Sequence, residues 1–205
     1  IAERINAAEK PLLLAGPHLR PYGAIDAFKR VAEAIGCAVA VQPNAKSFFP
    51  EDHPQFIGHY LGNSSAPGAE AMVDLADCVL AAGPMFTDYS TVGWTTTVPN
   101  ESGYIAIAED GVTTPDTKHT NLPIAAVLET LEAKVQRNTA TLDQFNRDDV
   151  TGESVNYTPA EDSAQLTRAE MVHQINELIS ADSTLFAETG DSWFNGMHMQ
   201  LPGGA

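Results

Sequence analysis

Pro11-Leu-Leu-Leu-Ala-Gly16 is a continuous apolar run closed by glycine, the pattern of a short strand buried on both faces of a parallel sheet. Residues 1–9 before it read as the tail of a helix. After it, Ile25, Phe28, Val31, Ala32 and Ile35 recur at spacings of three and four, which predicts an amphipathic helix over Tyr22–Ile35 that Gly36 terminates. Cys37–Val41 reads as a second strand. Beyond a loop rich in Pro, Asn and His, Gly68–Leu75 reads as a helix, Asp77–Gly83 as a third strand, Tyr104–Ala108 as a fourth and Leu122–Val135 as a closing amphipathic helix. Strands alternating with helices predict an α/β fold, a Rossmann-like doubly wound parallel sheet, because parallel neighbours need a crossover and a helix is the usual one.

That domain is expected to occupy residues 1–137. Residues 138–166 are polar, lack sustained apolar periodicity and read as a linker. Thr167 is placed to cap the next helix, with Glu170 three residues on in the capping-box position and Ala169, Val172, Ile175, Leu178 and Ile179 expected to face a core. A strand over Thr184–Ala187 follows, and Glu188-Thr-Gly-Asp-Ser192 turns the chain into a helix beginning near Trp193. Residues 167–205 therefore read as the opening of a second, truncated domain. Ile1 stands where a Met would start a chain, and Leu201-Pro-Gly-Gly-Ala205 is a turn signal, so both ends are expected to be cut from something longer.

Composition narrows the function. The chain has 205 residues, 43% of them hydrophobic, and a formal net charge of −16, which repels nucleic-acid phosphates and anionic lipid at long range. Its apolar runs fall far short of the roughly 20 residues of a membrane-spanning helix. Cys37 and Cys78 cannot form a disulfide framework, which makes a reducing, cytoplasmic compartment the default expectation. Neither has a basic neighbour that would activate it, and both read as core. Six histidines are scattered without the i, i+4 spacing of a helical metal site, so no metal-ligating residue is nominated.

In open α/β sheets, ligands gather at the carboxyl ends of strands, and a helix start offers free amides to an anion. Thr189-Gly190-Asp191-Ser192 suits that position: Gly190 permits close backbone approach and the hydroxyls can donate to phosphate. A plain helix cap, with Asp191 or Ser192 at the N-cap, explains the same residues. The loop Gly16-Pro-His-Leu-Arg20 has one glycine where a dinucleotide fingerprint has three, so a nucleotide-free Rossmann-like domain is expected; His18 and Arg20 are candidates for a small anion or for a solvated loop. Asp88 follows the third strand, as a site residue or in a turn.

Four stretches carry a resemblance: Ala45-Lys-Ser-Phe-Phe-Pro-Glu-Asp-His-Pro54, Phe56-Ile-Gly58, Ala82-Gly-Pro-Met-Phe-Thr-Asp-Tyr-Ser-Thr-Val-Gly-Trp94 and Ala187-Glu-Thr-Gly-Asp-Ser-Trp-Phe-Asn195. Together they resemble the thiamine-diphosphate-dependent 2-oxo acid decarboxylases, and within them the pyruvate decarboxylase family. The resemblance implies a three-domain, dimeric or tetrameric subunit that converts pyruvate to acetaldehyde and CO2 with thiamine diphosphate and Mg2+. This chain would hold the middle domain and the first βα unit of the diphosphate-binding domain. By the same resemblance Thr189, Gly190, Asp191 and Ser192 line the cofactor site and Trp193 approaches the substrate pocket. The family's proton-relay glutamate, paired histidines and Gly-Asp-Gly metal motif have no counterpart here. Both cofactors would be held mainly by other residues, no residue of the chain is nominated as catalytic, and the isolated chain is expected to be inactive. A decarboxylase of a bulkier 2-oxo acid such as indolepyruvate, or a non-catalytic assembly module, are the alternatives.

Overall fold

The computed structural model describes residues 1–94, 101–147 and 166–203. Pro11–Ala15 forms β1, buried at every position, after the short helix α1 (Ala2–Ala7). Side chains alternate along a strand, so Leu13 and Ala15 enter one apolar layer and Leu12 and Leu14 the other. The first layer is filled by α2 (Ile25–Ile35), through Phe28, Val31 and Ile35, and by α4 (Ile124–Glu132), through Leu128 and Leu131. The second is filled by α3 (Ala69–Leu75), through Met72 and Val73, and by α5 (Ala140–Arg147), through Phe145.

The remaining strands are β2 (Ala38–Val41), β3 (Phe56–His59), β4 (Cys78–Ala82), β5 (Tyr104–Ala108), β6 (Gly111–Thr113) and β7 (Lys118–Thr120). They form one sheet in the order β3-β2-β1-β4-β5-β6-β7. The pairs among β1 to β5 are parallel. The chain winds outward from β1 to β3, then returns past β1 to β4 and β5, which puts helices on both faces and a switch point between β1 and β4. The doubly wound expectation therefore holds. The sheet is mixed, however: β6 and β7 continue it antiparallel, because the two residues Glu109 and Asp110 between β5 and β6 are too few for a crossover.

Several expectations are corrected. The helix expected from Tyr22 begins at Ile25, since Gly23 sits at φ 62 in a turn. Strand β3 was not anticipated; it is four residues long and bent by Gly58 at φ 109, beside a register shift between Val39 and Ala40. Residues 140–147, expected as linker, form α5. Its hold on the sheet is polar as well as apolar: the buried Thr141 hydroxyl donates to Pro11 O at 2.6 Å and accepts from Ala38 N at 3.1 Å. The rest of that expected linker, 148–165, lies outside the described residues.

Thr167 caps α6 (Arg168–Leu178) as expected, accepting from Glu170 N at 3.1 Å. No residue of α6 is fully buried: of the face expected to meet a core, Val172, Ile175 and Ile179 are half-buried, while Ala169 and Leu178 are exposed, Leu178 at 80%. Thr184–Ala187 joins no ladder. A strand needs a hydrogen-bonded neighbour, and the described residues place none beside it. The final helix, α7 (Asp191–Met197), starts two residues before Trp193.

Cys37 and Cys78 are buried and unpaired, and burial pushes both thiols up, that of Cys78 to about 11. The core reading holds for both. Buried Gln55 donates to Ala32 O at 2.8 Å and Cys37 O at 2.7 Å, joining the end of α2 to the start of β2.

At the switch point Gly16 N donates to Ala82 O at 2.8 Å and His18 N donates to Gly83 O at 3.0 Å. A Cβ on Gly16 would overlap the Gly83 backbone. Gly16→Ala is expected to cost about 1–3 kcal/mol by overpacking. A urea unfolding midpoint identical to that of the unsubstituted chain would mean the two loops do not meet in this way.

Candidate functional site

The loops at the carboxyl ends of β1 and β4 fill the switch-point crevice with their own backbone. The buried Gln42 amide spans the loops after β2 and β4, donating to Met85 O at 3.1 Å and accepting from Met85 N at 2.9 Å. No glycine-rich cradle opens here. Arg20 lies with Cζ 4.4 Å from the centre of the Phe48 ring, a cation–π contact, and His18 Nδ1 is 3.9 Å from Glu109 Oε2. Arg20 therefore has a protein partner, whereas the buried His18 Nδ1 makes no hydrogen bond among the described residues. Asp88 accepts from Tyr89 N at 2.8 Å, inside a turn laced by Thr87, Ser90 and Thr91 hydroxyls, so its observed role is in the turn.

The turn 189–192 lies at the start of α7. Gly190 is the N-cap, at φ 109 and ψ −144, and receives no side-chain cap. This corrects the capping alternative: Asp191 and Ser192 stand inside the first turn of the helix. The first bonds into the helix are Trp193 N to Gly190 O at 3.1 Å and Phe194 N to Gly190 O at 3.3 Å. The amides of Asp191 and Ser192 thus have no backbone acceptor, the ordinary state of a helix start. Thr189, Asp191 and Ser192 are exposed, and among the described residues nothing lies within 4 Å of where a Gly190 Cβ would stand. Among the described residues the space over the turn is open, and it is donor-rich.

Trp193 is half-buried and packs on Tyr89, ring centres 4.9 Å apart, with Phe194 at 5.1 Å from Trp193 and 5.9 Å from Tyr89. These three rings join the loop after β4 to α7.

A cleft of about 730 Å³ lies between the segment His59–Ser65, the start of α6 and the inner side of α7. Of the residues nominated from sequence, Asp191 lines it; Thr189, Gly190, Ser192 and Trp193 do not. His59 and His198 face each other at its wall, ring centres 5.8 Å apart. Buried His59 donates from Nε2 to Ser64 O at 3.1 Å. Burial, reinforced by His198 and Lys46, pulls its pKa down to about 4 against the hydrogen bond to Ser64, and burial also lowers that of His198. Among the described residues no three His, Cys, Asp or Glu side chains converge as a metal site, and no helix is long and apolar enough to cross a membrane.

Sequence reasoning missed Lys46 and Glu51. They form an ion pair at 2.7 Å whose side chains are 18% and 6% exposed. Lys46 also donates to Met199 O at 2.7 Å, and Glu51 accepts from Leu201 N at 3.0 Å. A charged pair five residues apart in a loop reads as solvated; the apolar Phe48-Phe49 between them was the one local hint of burial.

The histidine geometry sets a pH dependence. An unfolded His59 protonates below its ordinary value of 6.5 and the folded one only near 4, so between those values the unfolded chain binds more protons. Stability present above pH 6.5 is therefore lost as pH falls toward 4, on the order of 3 kcal/mol for this one group. Urea titrations at stepped pH are expected to show that slope, and His59→Asn to flatten it. An equal slope in the variant would remove His59 as its source.

The family model for the thiamine pyrophosphate enzyme central domain matches residues 1–134. The chain is 41% identical over 201 residues to a probable pyruvate decarboxylase of Schizosaccharomyces pombe, covering 98% of this chain and 35% of that protein. It is 42% identical over 205 residues to a second from that yeast, covering 100% and 36%. To the pyruvate decarboxylase of Neurospora crassa it is 39% identical over 204 residues, covering 100% and 35%. The chain spans about a third of the length of these relatives. With a doubly wound sheet in the order that the two windings dictate, and a family match over all of its strands, the chain belongs to the thiamine pyrophosphate enzyme family and carries its central domain.

Proposed function

We propose that this chain is the central part of a pyruvate decarboxylase, which releases CO2 from pyruvate without oxidation and leaves acetaldehyde. The observation that carries the reading is the extent of the similarity: it runs past the family match at residue 134 to cover 98% or more of the chain, the turn 189–192 included. In this reading the middle domain, expected from sequence to end at residue 137, extends through α5 to Arg147, and residues 167–205 are the start of the diphosphate-binding domain.

The chemistry of the turn supports thiamine diphosphate as its ligand. The exposed hydroxyls of Thr189 and Ser192 and the free amides of Asp191 and Ser192 suit phosphate oxygens. The Asp191 carboxylate suits a donor group of the cofactor and would repel its diphosphate. Thiamine diphosphate, when bound, supplies the electron sink that a departing carboxylate needs. Trp193, fixed by Tyr89 and Phe194, would present an apolar wall to the substrate and exclude water from it. We assign Mg2+ mainly to residues outside this chain, because the family's Gly-Asp-Gly metal motif has no counterpart in the sequence. A cytoplasmic homo-dimer or homo-tetramer completes the reading, supported by two unpaired buried thiols and by exposed apolar residues such as Leu178 and Phe186.

The chain alone is expected to release no CO2 from pyruvate, while the full-length protein does so when thiamine diphosphate and Mg2+ are present. In that full-length protein Asp191→Asn is expected to weaken thiamine diphosphate binding by about 10- to 100-fold, the loss of one charge-assisted hydrogen bond. CO2 release by the chain alone, or an unchanged cofactor affinity in the variant, would overturn the assignment.

A further inference from the structure

The ion pair of Lys46 and Glu51 grips a piece of backbone. An ammonium has three N–H donors, and Lys46 Nζ has three acceptors: Glu51 Oε1 at 2.7 Å, Glu51 Oε2 at 2.9 Å and Met199 O at 2.7 Å. Glu51 Oε2 also accepts from Leu201 N at 3.0 Å. Between those two contacts Asn176 Oδ1 accepts from Gln200 N at 2.9 Å, and beyond them Asp52 Oδ2 accepts from Gly203 N at 3.4 Å. Met197 and Met199 are buried. Side chains of the loop between β2 and β3, together with α6, thus hold the main chain of residues 199–203.

A buried ion pair loses hydration that its own attraction only partly restores, so it is a poor way to gain stability and a good way to specify one arrangement over others. Here the arrangement specified is that of α7. The gripped segment begins two residues after the helix ends at Met197, and α7 is a rigid rod of two turns, about 10 Å long. Its opposite end carries Gly190, Asp191 and Ser192. Displacing the gripped end would displace that turn too.

We propose that Lys46 and Glu51 are positioning residues: by clasping the backbone at Met199 and Leu201 they set α7 against the central domain and so place Asp191 and its neighbours for the cofactor. The cofactor part of this proposal rests on the reading of residues 189–192 given above. The clasp touches neither cofactor nor substrate and acts through the helix.

The test uses the full-length protein with two readouts: hydrogen exchange of the amides in 191–203, and thiamine diphosphate affinity from quenching of tryptophan fluorescence. Lys46→Met leaves Glu51 buried without its partner and risks misfolding. The double variant Lys46→Met with Glu51→Leu removes both charges and avoids that risk. In the double variant, exchange over 191–203 is expected to rise at least tenfold relative to the strands β1 and β4. The Kd for thiamine diphosphate is expected to rise by a similar factor, and Lys46→Arg to stay within about threefold of the unsubstituted protein. Unchanged exchange over 191–203, a rise spread evenly over the whole domain, or raised exchange with unchanged affinity would each overturn the proposal. If the unsubstituted protein itself binds no thiamine diphosphate, the functional reading of the turn fails, and the exchange data still decide whether the clasp holds α7.

Discussion

Strand β1 is paired on both edges and buried on both faces, and that position constrains the rest of the sheet. Both edges must be filled by parallel strands, since β2 and β4 each reach β1 through a crossover, and both faces must be covered by helices. A run of leucines can meet this demand because neither face needs a polar side chain. The first winding closes one edge with β2 and β3 and the second closes the other with β4 and β5. The loops then emerge together at one end, where Gly16 and Gly83 approach more closely than side chains would allow.

What was legible in the sequence tracks how the segments are stabilised. Pro11–Gly16, the α2 periodicity and the β4 run announce themselves because apolar burial holds them, and burial leaves a pattern. Strand β3 is invisible to such a reading: Gly58 and His59 break its apolar alternation, and its place is fixed by pairing with β2. Helix α5 escapes for a related reason, since Thr141 serves the core through two backbone hydrogen bonds. The opposite error occurs in α6 and in Thr184–Ala187, where an apolar pattern is present and the described residues bury none of it fully and pair it with no strand.

The same division holds at the candidate site. Gly190 could be singled out from its neighbours because a glycine followed by Asp and Ser before an apolar helix has a local geometric meaning, although the helix begins earlier than expected and Gly190 itself takes the capping position. Lys46 and Glu51 could not. Their role depends on meeting residues about 150 positions away, and charge in a loop gives no sign of being buried. The His59–His198 pair is long-range in the same sense. Sequence locates what a segment does alone; it is silent on which segments meet.

The two outermost strands show how such a sheet avoids growing. At one end β7 is Lys118-His119-Thr120, every residue exposed and Lys118 paired with Asp110 at 2.7 Å. At the other, β3 is bent at Gly58, where a Cβ would overlap Ala66 from the following loop. An incoming strand from another molecule would meet charge at the first edge and a kinked, partly covered ladder at the second, both of which discourage accretion. Both rims of the sheet thus resist the edge-to-edge pairing that would propagate into a fibre.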